Sequence, residues 1–246
     1  SRGLGDVYKR QEIDSHFLNE SELAKFIEIW LKDNTDCEVS IQRLENNRVN
    51  LQIKKGKKEK SILLLGHLDT VPVVEGWKTD PLKLVIKKNK LFGLGAWDMK
   101  SGLSIILNVL KNYEPENFTL KVGLVVDEEN YSIGTHKLID SGFCDDVNFA
   151  MVPEPGFEHG ENGITIGRSG RATYSVKIKG KSSHGSKPDK GVNAIEQAAV
   201  FINSLKGLKL SSSKYGSSAI YPRFMTSEAN GYSVPDECII EIDSIF

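Results

Sequence analysis

The segment Ser61-Ile-Leu-Leu-Leu-Gly-His-Leu-Asp-Thr70 joins an apolar run to a His-X-Asp pair. Ile62 to Leu65, closed by Gly66, predicts a buried strand, parallel to its neighbours and covered on both faces. In open α/β sheets the chemistry lies just beyond the carboxyl ends of the strands, which is where His67 and Asp69 fall. Residues two apart in an extended backbone point the same way, so one member of the pair can hold a cation and the other can orient it. A His-X-Asp pair alone says little, because a lone His at a strand end is more often structural. Its weight comes from what recurs on either side.

Upstream, Leu23, Phe26, Ile27, Trp30 and Leu31 recur at helical spacing, which predicts a helix over Ser21–Lys32 with Asn19 or Ser21 as its cap. Val39–Leu44 and Val49–Ile53 alternate apolar with polar residues and predict strands. The lysine-rich stretch 54–60 reads as a solvated turn. Downstream, Pro72–Pro81 is a loop, and Leu84–Ile86 with Lys90–Phe92 reads as a hairpin around Lys88-Asn89. The turn Gly93-Leu-Gly-Ala-Trp-Asp-Met-Lys-Ser-Gly102 leads into an apolar helix, Leu103–Leu110. Leu120–Val126 predicts a second buried strand, ending in Asp127-Glu128-Glu129, and a helix follows over Ile133–Asp140. Phe149–Val152 predicts a third, ending in Pro153-Glu154-Pro155.

Taken singly, each of these acids reads as a helix cap or a solvated loop residue. Taken together, they put His67, Asp98, the acids at 127–129 and Glu154 along one edge of one sheet. One imidazole among several carboxylates is the donor set that a hard-to-borderline divalent cation requires.

Past Gly167 the pattern changes to alternating strands, Ala172–Ile178, Arg223–Ser227 and Cys238–Ile242, with one amphipathic helix over Val192–Leu205. This β-α-β-β order is most of a small α+β domain, and Lys206–Ser218 reads as a loop. The expected organisation is a metal-binding catalytic domain over residues 12–166 and a smaller domain over 167–246. Residues 1–11 lack periodicity and read as a non-native leader. The chain has 246 residues and a formal net charge of −1, which argues against nucleic acid or an anionic membrane as the main partner. No apolar run is long enough to span a bilayer, and residues 1–20 are polar without the apolar stretch of a secretory signal, so none is expected. Cys37, Cys144 and Cys238 are too scattered for a disulfide framework, so a cytoplasmic location is expected.

The order Gly66-His-Leu-Asp-Thr-Val-Pro72, Gly95-Ala-Trp-Asp-Met-Lys100, Asp127-Glu-Glu129, Glu154-Pro155 and Ser183-His-Gly-Ser-Lys-Pro-Asp-Lys-Gly-Val-Asn-Ala-Ile195 resembles the metal-dependent deacylase and exopeptidase family. That family holds acetylornithine deacetylase, succinyl-diaminopimelate desuccinylase, aminoacylase and glutamate-releasing carboxypeptidases. The resemblance implies an α/β fold: a mixed, largely parallel zinc-exopeptidase-like sheet with a smaller α+β, ferredoxin-like lid or dimerisation domain. It implies two divalent ions, zinc with cobalt or manganese as alternatives. His67 and Glu154 would ligate the first, Glu129 the second, and Asp98 both. Glu128 would be the general base and Asp69 would orient His67. His184 would reach from the lid into the site of a second copy and stabilise the oxyanion. A cis peptide is implied at Asp98–Met99.

The pattern is departed from at Leu94 and Ile245, where the family has Arg, at Ser101, where it has Gly, and at Tyr232, where it has Asn. A last His ligand of the second metal has no counterpart: His16 and His136 read as surface helix residues and His159 as a loop residue. The chain therefore reads as a C-terminally truncated member with an incomplete second site. The expected activity is hydrolysis of N-acyl amino acids by a homodimer. The alternatives are a dipeptidase or carboxypeptidase, a non-catalytic fragment binding one metal, and a structural domain binding none.

Overall fold

The computed structural model describes residues 12–156, 163–214 and 216–246. The expectations for residues 1–11 and for His159 lie outside the described residues. The chain divides into two compact units, Ser1–Asn162 and Gly163–Phe246.

In the first unit the elements are α1 (Glu20–Asn34), β1 (Glu38–Arg43), β2 (Val49–Lys55), β3 (Ser61–His67), β4 (Val85–Lys87), β5 (Lys90–Phe92), α2 (Lys100–Asn112), β6 (Thr119–Val125), α3 (Ile133–Asp140) and β7 (Val147–Met151). The main sheet has the order β1-β2-β6-β3-β7. β6, β3 and β7 run parallel, while β1 and β2 add on antiparallel, so the sheet is mixed. The reversed strands follow from chain length: the short link from β1 to β2 is enough for a hairpin-like return and too short for a helical crossover.

Alternation along the strands sorts the two faces. Leu120, Val122 and Leu124 of β6 and Leu51 and Ile53 of β2 pack with Leu23, Ile27 and Leu31 of α1 and Leu103, Ile106, Leu107 and Leu110 of α2. Leu63 and Val125 form a separate cluster with Leu138 of α3 and Phe143. Each fully buried Leu or Ile contributes about 1.5–3 kcal/mol from removal of apolar surface. β3 is held between β6 and β7, with helices over it, and this fixes where His67 emerges.

Several expectations need correction. Neither Asn19 nor Ser21 caps α1 through its side chain; the Ser21 hydroxyl donates to the Asn47 carbonyl at 2.8 Å. β7 is not buried like β3 and β6: as the last strand of the sheet it is paired on one side, and Phe149 and Met151 are exposed. His16 is not a helix residue; it pairs with Thr70 in an isolated parallel bridge, and its Nδ1 lies 2.7 Å from the Asp14 carboxylate. His136 is exposed on α3 as expected. Lys88 and Asn89 both take positive φ, the conformation that closes the two-residue β4–β5 hairpin.

The second unit holds β8 (Arg171–Lys179), α4 (Ala194–Leu205), the short strands β9 (Ser212–Ser213) and β10 (Gly216–Ser217), β11 (Ala219–Thr226) and β12 (Glu237–Ile245). Its main sheet has the order β11-β12-β8, antiparallel throughout. Ala194 and Ala198 of α4 cover Cys238, Ile240 and Ile242. The Asn193 side chain accepts the Ile195 N–H at 2.9 Å and caps α4. The segment 206–218, expected as plain loop, contains the β9–β10 hairpin.

Candidate metal centre

Glu128, Glu129 and Glu154 sit on the turns that follow β6 and β7, and Asp98 sits between the β4–β5 hairpin and α2. His67 ends β3 and is 2% exposed. Its Nε2 lies 2.9 Å from Asp98 Oδ1 and 3.9 Å from Glu154 Oε1. Its Nδ1 is 2.9 Å from the backbone carbonyl of Asp69 and 3.5 Å from that residue's Oδ1. With Nδ1 donating to the carbonyl, Nε2 is left to face the acids, the arrangement that fixes a ligating imidazole.

The Asp69 carboxylate also reaches beyond His67. It accepts the backbone N–H of Glu128 at 3.1 Å and of Glu129 at 3.0 Å. Asp69 was expected only to orient His67; its carboxylate also ties the β3 end to the turn after β6.

Asp98 does not cap α2. The N-cap of α2 is Met99, with no side-chain cap bond, and the Asp98–Met99 peptide is cis. The turn that presents Asp98 depends on two close approaches. Gly95 has φ +72°, and a Cβ there would come within 2.5 Å of Thr70 Cγ2. A Cβ on Gly102 would come within 2.2 Å of the Pro153 carbonyl oxygen, so the bare glycine lets α2 press against the residue before Glu154. The Met99 sulfur also accepts the His67 backbone N–H at 3.0 Å.

The ligand atoms of His67, Asp98 and Glu129 all lie within 4.8 Å of one another, and so do those of His67, Glu128 and Glu154. His67 belongs to both groups. One imidazole surrounded by carboxylates fits a divalent cation of the zinc, cobalt or manganese kind. His184 is on the second unit, exposed, with its ring edge against Tyr232 at 5.4 Å and Nδ1 at 2.8 Å from the Ser186 hydroxyl.

Comparison with known proteins identifies the family. Residues 63–233 match the peptidase family M20/M25/M40. The chain belongs to that family. An acetylornithine deacetylase from Aliivibrio salmonicida (strain LFI1238) is 34% identical over 184 residues, which is 73% of this chain and 47% of that protein. The M20 chain thus spans about half the length of the curated relatives it matches. Among solved structures, an M20 family metallo-carboxypeptidase from Sulfolobus solfataricus superposes with a TM-score of 0.78 at 15% identity, covering 100% of this chain and 71% of that one. Human carnosine dipeptidase 1 superposes with a TM-score of 0.67 at 15% identity, covering 100% and 70%. These likenesses establish the fold.

The electrostatics of the M20 centre are those of a site short of positive charge. Burial alone would push His67 down, but the hydrogen bonds of Asp69 and Asp98 and the charges of Asp69 and Glu128 win, and its pKa is raised to about 11. Burial, and then the Asp98 charge, push Glu129 up to about 7. Burial also raises Glu128, against the pull of His67. For Asp69 burial is outweighed by the hydrogen bond and charge of His67 and by the two backbone N–H donors, so it stays below the usual range.

These shifts set a proton count for metal uptake, because a ligating imidazole must be neutral and a ligating carboxylate ionised. Below pH 7 both His67 and Glu129 carry a proton in the metal-free protein; between pH 7 and 11 only His67 does. Zinc affinity is therefore expected to rise with pH, by about one log unit per pH unit at the His67 site up to about pH 11 and at the Glu129 site only below about pH 7. Calorimetry in buffers of different ionisation enthalpy checks this: with both sites filled, about two protons in total should be released at pH 6 and about one at pH 8.5. Release of none at pH 8.5 would contradict the assignment of His67.

The sequence gives no sign of several supporting residues. Arg48 looks like one more polar residue before a strand, yet it is 5% exposed and paired with Glu20 and Asp127. Lys100 looks like a first-turn surface lysine, yet it is buried and donates to the Ile13 carbonyl at 2.8 Å. Both partners are remote in sequence, so no local pattern could have found them.

Proposed function

We propose that the chain is the metal-binding part of a hydrolase that cleaves the amide bond of N-acyl amino acids, of the deacetylase and desuccinylase type. The observation that carries the reading is the pair of overlapping groups His67, Asp98, Glu129 and His67, Glu128, Glu154, within each of which the ligand atoms lie within 4.8 Å of one another. In this reading His67, Asp98 and Glu154 hold one divalent ion, and Asp98 and Glu129 hold a second. Bound zinc would supply Lewis acidity and lower the pKa of water toward about 7.

The chain's own residues do the rest. Glu128, raised above the ordinary carboxylate range by burial, is suited to take a proton from water and to return it to the leaving nitrogen. Asp69 keeps the Glu128 and Glu129 amides, and so their side chains, in register with His67. His184, presented by a lid and dimerisation domain over 167–246, donates to the oxyanion in a second copy, a term worth about 2.7–4 kcal/mol for one such donor. Tyr232, 72% exposed and packed against His184, stands where the family has Asn and would shape the substrate end of that surface. The protein would be a cytoplasmic homodimer; no helix among the described residues is long and apolar enough to cross a membrane.

A dipeptidase or carboxypeptidase reading is supported by the fold shared with carnosine dipeptidase 1 and the Sulfolobus carboxypeptidase. The deacylase reading is preferred because the identity to acetylornithine deacetylase is higher. The test is hydrolysis by the zinc-loaded protein of a panel of N-acetyl and N-succinyl amino acids and dipeptides. Turnover of the acylated amino acids supports the reading, turnover of dipeptides alone favours the second, zinc binding without turnover of either favours a non-catalytic metal-binding fragment, and absence of zinc binding refutes all three.

A further inference from the structure

A buried ion-pair network lies behind the acidic turn. Arg48 Nη2 is 2.5 Å from Glu20 Oε1, Nε is 3.1 Å from Glu20 Oε2, and Nη2 is 3.1 Å from Asp127 Oδ1. Arg48 is 5% exposed and Glu20 and Asp127 are 0% exposed. The Phe17 ring covers the guanidinium at 5.0 Å. Asp127 immediately precedes Glu128 and Glu129 and takes φ +71°, a left-handed backbone that is uncommon outside glycine. Its Oδ2 accepts the backbone N–H of Tyr131 and of Ile133, each at 3.2 Å, and its carbonyl accepts that of Ser132 at 2.6 Å.

The Asp127 side chain therefore has two jobs. One oxygen folds the turn over itself, and the other is gripped by a guanidinium that is itself locked by a two-point contact to α1. A fork of this kind fixes direction as well as charge, which a lysine cannot reproduce. From the opposite side, Asp69 holds the Glu128 and Glu129 amides. We propose that Arg48, anchored by Glu20, is a positioning residue: through Asp127 it fixes the turn that presents Glu128 and Glu129. This rests on the hydrolase reading for what those two residues do, but not for how they are held.

The test uses the full chain with Arg48→Lys and, as a second variant, Asp127→Asn, which keeps acceptors for Tyr131 and Ile133. Amide hydrogen exchange is measured without metal, zinc affinity by calorimetry and stability by urea. The expected result is exchange at Glu128, Glu129, Tyr131 and Ile133 faster by about tenfold or more, with β2 and β6 amides little changed. Zinc affinity should fall by about 10–100-fold, the usual cost of removing a group that orients ligands. Exchange that quickens uniformly in both variants would mean that the network only stabilises the fold, and would overturn the proposal. So would unchanged exchange at the turn. If wild type binds no zinc, the hydrolase reading fails while the exchange data still decide the role of Arg48. If wild type binds zinc and turns over substrate but the turn is indifferent to Arg48, the inference fails alone.

Discussion

Glu128→Gln is expected to lower amide hydrolysis by about 10²–10⁴-fold while leaving zinc affinity within about threefold. The change keeps the side-chain volume and the backbone N–H that Asp69 accepts at 3.1 Å, so the turn should stay in place. What it removes is a site that can carry a proton. Burial raises Glu128 above the ordinary carboxylate range, which brings its proton affinity closer to what a base working near neutrality requires. The result also separates two roles that the geometry leaves side by side, because a Glu128 oxygen lies within 4.8 Å of ligand atoms of His67 and Glu154. A base gives low turnover with intact zinc binding. A tenfold or greater loss of zinc affinity would instead make Glu128 a ligand and require the proton to be handled elsewhere.

Asp98→Ala is expected to weaken zinc binding by more than about 100-fold, beyond the roughly 10–100-fold that an orienting partner outside the coordination sphere is worth. Global stability should change by less than about 1 kcal/mol, since the side chain is 26% exposed and caps no helix. The sign of the local effect can be worked out. Asp98 is a principal charge raising Glu129 to about 7, so its removal should bring Glu129 down toward the ordinary range. It also helps hold His67 at about 11, so that value should fall as well. Titrating calorimetry with zinc, paired with urea unfolding, reads both quantities. Unaltered zinc affinity would remove Asp98 from the centre, and loss of stability in step with loss of zinc would make it a structural acid.

Much of this was legible because the signals are local. The β3 run and its closing His-X-Asp pair, the Asp127-Glu-Glu129 end of β6 and the Pro153-Glu154-Pro155 end of β7 are each contiguous, and parallel pairing of β6, β3 and β7 brings those ends to one edge. What the sequence concealed is set by contacts across long separations. The antiparallel β1 and β2 could not be told from parallel neighbours by alternation alone. β7 was expected to be buried because Phe149 and Met151 are apolar, yet being apolar does not supply a covering layer. Asp69 carries its second task through backbone amides of residues about sixty positions away, which no motif spacing encodes.

The sheet order has a consequence for how such a protein is made. His67 and Asp98 are 31 residues apart and Glu154 comes later still, on a turn that exists only once β7 has docked against β3. A chain still emerging from the ribosome that has reached only β6 has nowhere to lodge the cation. The full donor set exists only after synthesis has passed Glu154, so complete loading comes late, onto a sheet whose five strands have all been made.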